Sequence, residues 1–504
     1  MKLKSFLRRF GAIALTGAIM LGSAVCASAA DTQKMTGFNH DATTGTLTIN
    51  DDGTYDVYQL YTATAGNNTY TYTANDKYAD MLGGVTANDL SGYDANAVQN
   101  FLNTMMGKFD NKVAADYTIT GKGASSLPIG YYMVVQKSDE ATPGTVTSPI
   151  LTAIPSTDNN AWVYDVTVKP KNSKTDLTKK IVEDGNLVDT SNSKIGSDID
   201  YQITSTVPAY GADIDKSKVT YAITDNPSAA LTVKMDTITV KMGETILKAN
   251  EYYTVSSNKD GGFTVKFDYS KLTAGATVTV NLTATLNEKA IVNKNAGLTV
   301  PDYTDVLDEN YNGQGNPNGA TLEYTNNYYT GTTSKIRDIV TSFTTLVGIE
   351  KVDKDNADTK LVATFGLYSD KDCKNKIEEL TTDEKTGLIA SSTLKPGTYY
   401  LKEITAPEGY AESDVVYTVV ISATKNAAGE YDGTFVITAD GNELNNPLTI
   451  GSYDNVQTLR ITNTKGVILP GTGGMGNKLF VLIGVGLMGA AAGAFLLRRK
   501  FKNQ

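Results

Sequence analysis

Glu403 stands in an alternating apolar run, Tyr399-Tyr400-Leu401-Lys402-Glu403-Ile404, where a carboxylate can be buried on one face of a strand. Burial disfavours charge, so a buried carboxyl holds its proton more readily and a buried lysine becomes a neutral amine able to attack. A protonated Glu can hydrogen-bond an Asn side-chain amide and polarise its carbonyl. Attack by the lysine amine then expels ammonia and leaves a Lys–Asn amide. Other chemistries are poorly served. His40 is the only histidine, which leaves little for His-based catalysis or a His-rich metal centre. Asp353, Asp355 and Asp358 miss the Asp-x-Asp-x-Asp-Gly spacing of a calcium loop. No metal and no cofactor is expected.

Both ends of the chain are targeting segments. Lys2, Lys4, Arg8 and Arg9 precede an apolar stretch from Gly11 to Val25, and Ala27-Ser28-Ala29 offers a small-residue cleavage site, so residues 1–30 read as a signal peptide. Ser23-Ala24-Val25 is a poor lipid-attachment sequence, so Cys26 goes with the discarded segment. At the other end, Leu469-Pro470-Gly471-Thr472-Gly473 is followed by an apolar run from Leu479 to Leu497 and then by Arg498-Arg499-Lys500-Phe501-Lys502. The run is long enough to cross a hydrocarbon layer of roughly 30 Å, and the basic cluster should stay cytoplasmic. Only Cys373 remains after signal removal, so no intramolecular disulfide can form. An exported β protein without disulfides needs another source of toughness.

Between these ends the chain is rich in Thr, Tyr, Val and Asn at period two, as in Thr46-Leu47-Thr48-Ile49, Val163 to Val168, Ala274 to Leu286 and Val415 to Ile421. This reads as an all-β chain of tandem sandwiches. The expected divisions are 31–168, with a helical-looking stretch from Asn88 to Phe109; 169–342; 343–465; and 466–504. The net charge of −10 argues against nucleic acid as a partner.

The C-terminal order of parts resembles the cell-wall sorting signal of Gram-positive surface proteins, the substrate of sortase. By that resemblance the bond between Thr472 and Gly473 is cut and Thr472 is held as a thioester. Tyr399 to Tyr410, preceded by Leu394-Lys395-Pro396-Gly397, resembles the E-box of Gram-positive pilins, within an immunoglobulin-like domain of the Cna B type. The family places its lysine on the first strand of the domain and its asparagine on the last. That implies Lys351 in Val347 to Asp353, Asn463 in Leu459 to Asn463, and Glu403 as the catalytic carboxyl.

The middle segment is similar to the middle domain of backbone pilins, of the Cna A type, through Ile199 to Pro208, Val219 to Asp225 and Gly315 to Tyr324. The resemblance implies Lys180, Asp225 and Asn318, with Lys179 and Asn316 as close competitors. Leu127-Pro128-Ile129-Gly130-Tyr131-Tyr132-Met133-Val134-Val135-Gln136 echoes Leu394 to Glu403, yet Val135 or Gln136 falls where Glu403 would. No E-box type bond is expected in that domain.

Trp162-Val163-Tyr164-Asp165-Val166-Thr167-Val168-Lys169-Pro170-Lys171 resembles the pilin motif, with Lys169 replacing the usual Tyr. The resemblance gives Lys171 the nucleophile position, with Lys169 as the fallback, joining Thr472 of a neighbouring subunit. The implied protein is a major pilin, non-enzymatic, polymerised by sortase with identical subunits and with minor tip or base pilins, anchored to peptidoglycan on the cell surface and supporting adhesion to a host ligand. The alternative is a singly wall-anchored adhesin that binds host matrix or glycan. It shares every feature except use of the pilin lysine. A wall-attached hydrolase would need a nucleophile or acid pair in a cleft, and the sequence offers no such set.

Overall fold

The computed structural model describes residues 36–466, apart from 110–112, 138–143, 147–148, 171–172, 211–213, 260, 294–314 and 330, together with 483–485, 487–488 and 498. The signal peptide, Lys171, the pentapeptide Leu469, Pro470, Gly471, Thr472 and Gly473, and most of the apolar run lie outside the described residues. Among the described residues no helix is long and apolar enough to cross a membrane. The chain is mostly strand and falls into two compact units. One holds residues 1–345, 393–396 and 423–435; the other holds 346–392, 397–422 and 436–504.

The first part of the larger unit is a sandwich with a helical layer added. Its five-stranded sheet contains Tyr70–Ala74, Thr54–Ala65, Gly130–Gln136 and Ile150–Ile154 in that order, with Tyr117–Thr120 also paired to Thr54–Ala65. A three-stranded sheet, Asp165–Val168, Thr44–Ile49 and Ala124–Pro128, brings the first and last strands together in parallel. Leu47, Ile49, Tyr55, Val57, Ile119, Leu127, Tyr132, Val134, Val166 and Val168 form one core. On the other side, Tyr58, Tyr131, Met133, Val135 and Leu151 pack against Leu82, Leu90, Val98, Phe101, Leu102, Met105 and Phe109.

That double covering explains why every residue of Gly130–Gln136 is buried, and why its sequence is a nearly continuous apolar run. The helical-looking stretch is two helices, Ala87–Gly92 and Ala95–Phe109. The first opens on a capping box, with Thr86 Oγ1 accepting from Asp89 N at 3.2 Å and Asp89 Oδ2 accepting from Thr86 N at 2.8 Å.

A later part of the larger unit holds two six-stranded sheets. One runs Asn186–Val188, Thr178–Glu183, Asp198–Thr206, Thr277–Leu286, Leu231–Met242, Thr245–Ile246. The other runs Thr190–Asn192, Thr332–Phe343, Asn316–Asn327, Tyr221–Pro227, Phe263–Phe267, Tyr253–Ser257. Thr277–Leu286 (TVTVNLTATL) alternates without a break, its Val, Leu and Ala side chains buried and its Thr and Asn side chains turned outward.

The smaller unit is built on a four-stranded sheet, Leu388–Ala390, Gly348–Asp353, Tyr453–Asn463, Pro447–Ile450. A second sheet begins Lys376–Thr381, Thr364–Tyr368, Gly397–Thr405, Val416–Lys425. Its first and last long strands, Gly348–Asp353 and Tyr453–Asn463, are also parallel neighbours.

Candidate functional site

Three charged or amide side chains converge in the interior of the smaller unit. Gly348–Asp353 and Tyr453–Asn463 pair so that Lys351 lies opposite Ile461 and Asp353 opposite Asn463. Side chains two apart share a face, so Lys351 and Asn463 are diagonal neighbours on the inward face of one sheet. Glu403 reaches them from the other sheet, on Gly397–Thr405. Lys351 is fully buried, and Glu403 and Asn463 are nearly so.

Asn463 Nδ2 donates to both Glu403 oxygens, at 3.1 and 2.9 Å, and to the Ala411 carbonyl at 3.0 Å. Lys351 Nζ stands 3.9 Å from Glu403 Oε1 and finds no hydrogen-bond partner among the described residues. Desolvation pulls the Lys351 amine down to about 8, against the opposing pull of Glu403 and Asp353. The carboxylate thus stands between an amine that must lose a proton and an amide nitrogen that must gain one. That order of groups suits proton transfer during amide exchange.

A second cluster lies in the larger unit. Here the lysine placed beside Asp225 is Lys179 and not Lys180. Lys180 turns outward, where its Nζ pairs with Asp189 and its side chain is 28% exposed. Lys179, one residue earlier, is fully buried. In Thr178–Glu183 the inward positions are Lys179 and Ile181, so Lys180 falls on the outer face. Lys179 Nζ bonds Asp225 Oδ1 and also donates to the Gly319 carbonyl at 3.1 Å.

Asp225 and Asn318 are also fully buried. They lie diagonally on adjacent antiparallel strands, with Asp225 opposite Ala320 and Pro227 opposite Asn318. Burial raises the Asp225 carboxyl, against the pull of Lys179, and Asn318 is near enough to favour the charged form. Burial likewise lowers Lys179. Both shifts favour a neutral amine beside a protonated acid. Asn318 Nδ2 and Oδ1 make no hydrogen bond of ordinary geometry among the described residues. Gly262 allows the close approach on the far side of Asp225: a Cβ there would sit 2.0 Å from the Asp225 carbonyl oxygen.

Asn316, the competing amide, is already engaged. Its Nδ2 donates to the carbonyls of Ile291 and Ser342, each at 3.1 Å, and its Oδ1 accepts from Ile291 N at 2.7 Å. It ties a loop to the strand and has no free amide to offer. Asp353 is also engaged: its Oδ1 accepts from Asp355 N at 2.8 Å and its Oδ2 from Tyr410 Oη at 2.7 Å. Among the described residues no cluster of three or more His, Cys, Asp or Glu side chains could hold a metal.

Nine residues before the expected polymerisation lysine in sequence, Trp162 packs edge-on against Phe38 and Tyr70, with centroids at 5.9 and 5.2 Å. Asp165–Val168 is an edge strand, Lys169 is exposed and Pro170 is buried. Lys171 follows directly, outside the described residues.

Comparison with known proteins finds similarity both to a described domain and to whole proteins. Residues 345–434 match the SpaA prealbumin-like fold domain. The chain is 24% identical over 407 residues to the trypsin-resistant surface T6 protein of Streptococcus pyogenes serotype M6, covering 67% of this chain and 71% of that protein. Its fold is similar to the T6 backbone pilin of serotype M6 S. pyogenes, a modular three-domain structure, with TM-score 0.59 and 19% identity over 84% of this chain and 99% of that one. It is similar as well to the full-length major pilin SpaD of Corynebacterium diphtheriae, with TM-score 0.52 and 17% identity over 86% of this chain and 99% of that one.

Proposed function

From a chain that has the backbone-pilin fold and carries a SpaA prealbumin-like domain, we propose a structural, non-enzymatic pilus subunit whose domains weld themselves shut. The observation that carries this reading is the pair of buried Lys–carboxyl–Asn clusters, Lys179–Asp225–Asn318 and Lys351–Glu403–Asn463.

In each cluster the neutral lysine amine attacks the asparagine Cγ. A Nζ–Cγ bond forms, the Cγ–Nδ2 bond breaks, and the carboxyl carries a proton from Nζ to the departing nitrogen, which leaves as ammonia. A buried carboxyl serves because it stands beside both nitrogens, and no cofactor is consumed. The product is one turnover per cluster, so the chemistry is a maturation step and not an enzymatic activity.

Polymerisation is assigned to the ends. Sortase cuts after Thr472 in Leu469 to Gly473, and Lys171 of the next subunit takes the acyl group, giving a Lys171–Thr472 bond between identical subunits. Lys169, exposed at the end of an edge strand, is the fallback amine. The domain divisions proposed are 31–168, 169–342 and 343–465, with 466–504 as the sorting signal. Further partners are minor tip or base pilins, the peptidoglycan to which the polymer is attached, and a host ligand on the adhesive surface.

The test is an immunoblot of wall extracts boiled in SDS, comparing the native chain with Lys171→Arg in the source bacterium. A high-mass ladder that collapses to monomer is the expected result. A ladder that survives moves the link to Lys169 or elsewhere, and no ladder in either strain supports the singly anchored adhesin.

A further inference from the structure

The first domain repeats the strand registers of the smaller unit closely enough to superpose the two sites residue by residue. In the smaller unit Asp353 opposes Asn463 across a parallel pair, and Lys354 N donates to Asn463 O at 3.0 Å. In the first domain Ile49 opposes Val168 across a parallel pair, and Asn50 N donates to Val168 O at 2.9 Å. Val168 therefore occupies the position of Asn463, and Leu47, two residues before Ile49, occupies that of Lys351. The facing sheet agrees. Glu403 pairs with Phe365, and Gln136 pairs with Tyr55. The third strand of the small sheet agrees too, since Ala124–Pro128 and Leu388–Ala390 each pair antiparallel with the first strand.

All three first-domain side chains are buried, Leu47 fully and Gln136 and Val168 nearly so. Gln136 is the informative one. Both of its side-chain amide atoms lie in the interior with no hydrogen-bond partner among the described residues, a placement that costs stability and that an apolar residue would avoid. Gln has the shape of Glu but no titratable proton to carry. Leu47 supplies no amine, and Val168 supplies no amide to lose.

We propose that the first domain contains the crosslink site of the smaller unit in disarmed form, at Leu47, Gln136 and Val168, so that this domain is the reversibly unfolding module of the subunit. The inference rests on the reading of Lys351, Glu403 and Asn463 given above. That reading also accounts for why the loss is tolerated. A polymer joined from Lys171 to Thr472 carries tension through the chain between those residues. Residues 31–168 hang outside that path, and their unfolding leaves the fibre continuous.

The test re-arms the site in the mature chain with Leu47→Lys, Gln136→Glu and Val168→Asn together, and reads intact mass and crosslinked peptides. The wild type is expected to lack two ammonia equivalents, and the triple variant three, with a peptide pair joining positions 47 and 168. A folded triple variant that lacks only two overturns the inference, and a native crosslink within 36–168 of the wild type does the same.

Should the variant fail to fold, limited proteolysis of the wild type on a temperature ramp decides. Residues 36–168 are expected to be digested while the two crosslinked domains stay intact, and equal resistance of all three overturns the inference. A wild type lacking no ammonia sinks the underlying reading, and this one with it. A failure of the re-armed site alone leaves the wild-type mass deficit standing, so the two failures are distinguishable.

Discussion

Glu403→Gln isolates the carboxyl while keeping its volume. In the folded wild type, Lys351 is held at about 8 instead of its ordinary value of 10.5. At pH 7 that shift raises the neutral fraction of the amine about 300-fold, to roughly one molecule in ten. Removing the Glu403 charge takes away the largest influence that raises the lysine, so the amine becomes more neutral still. If amine neutrality limited the reaction, the variant would react faster.

The geometry argues otherwise, because Glu403 is the group within 3.9 Å of Lys351 Nζ that also contacts Asn463 Nδ2, at 2.9 Å. Gln cannot relay a proton between them, so bond formation stops. The loop from Lys351 to Asn463 spans roughly 110 residues, and its closure in the unfolded state stabilises the domain by about 5 kcal/mol on the chain-entropy account. For a domain of this size that amounts to a drop on the order of 20 °C in its thermal transition. Intact mass, with calorimetry alongside, is the assay. A Glu403→Gln chain that still lacked the ammonia of this domain would refute the relay.

Three further outcomes follow from the same geometry. Lys179→Met, made with Asp225→Leu to avoid stranding a buried charge, should retain one ammonia, whereas Lys180→Ala should not, and should cost no more than about 1 kcal/mol for its partly exposed pair with Asp189, read by mass and urea titration. Asn318→Ala should abolish the middle-domain bond; Asn316→Ala should leave the mass deficit unchanged yet destabilise the domain by about 1–3 kcal/mol for each backbone group it orphans. In freshly translated chain, closure of the Lys351 site should accelerate about tenfold from pH 6 to pH 7 and level off above pH 8, since the amine sheds its proton as pH rises through about 8; a rate flat across that range would contradict a neutral-amine nucleophile.

The strands were legible because their alternation is regular, as in Thr277–Leu286. The helical stretch was legible as well, though not its break at Tyr93 and Asp94 between two helices. For the middle domain the sequence held a signal that pointed to the buried lysine. Leu177, Lys179 and Ile181 share one parity and are the inward set, whereas Lys180 shares its face with Thr178 and Val182. Choosing between them requires knowing which face the sandwich covers, and Val182 makes the outer face apolar enough to mislead.

Asn316 and Asn318 could not be separated in that way. They have the same parity on the same strand and both are buried. What distinguishes them is the backbone of Ile291 and Ser342 closing around Asn316, contacts that come from distant parts of the chain. The correspondence of Leu47 and Val168 with Lys351 and Asn463 was hidden for a similar reason. Leucine and valine in alternating strands look like ordinary core, and the register alone gives their positions meaning.

The two clusters use the same reagents in different placements, and the choice of carboxylate follows from the placement. Facing sheets lie about 10 Å apart and neighbouring strands about 5 Å apart. In the middle domain Asp225 and Asn318 share a sheet on adjacent strands, so a short carboxylate suffices. Lys179 comes from the opposite sheet, and its long stem crosses the gap. In the smaller unit Lys351 and Asn463 share a sheet, and the carboxylate crosses, which calls for the longer glutamate on Gly397–Thr405. In each domain one long side chain spans the interior, and the two remaining groups meet it from adjacent strands. The two proposed bonds differ in what they would restrain. A Lys179–Asn318 bond ties the two sheets of a sandwich together, whereas a Lys351–Asn463 bond ties the first strand to the last within one sheet. The latter closes the route by which tension applied at the two ends of that domain would shear its parallel terminal strands apart.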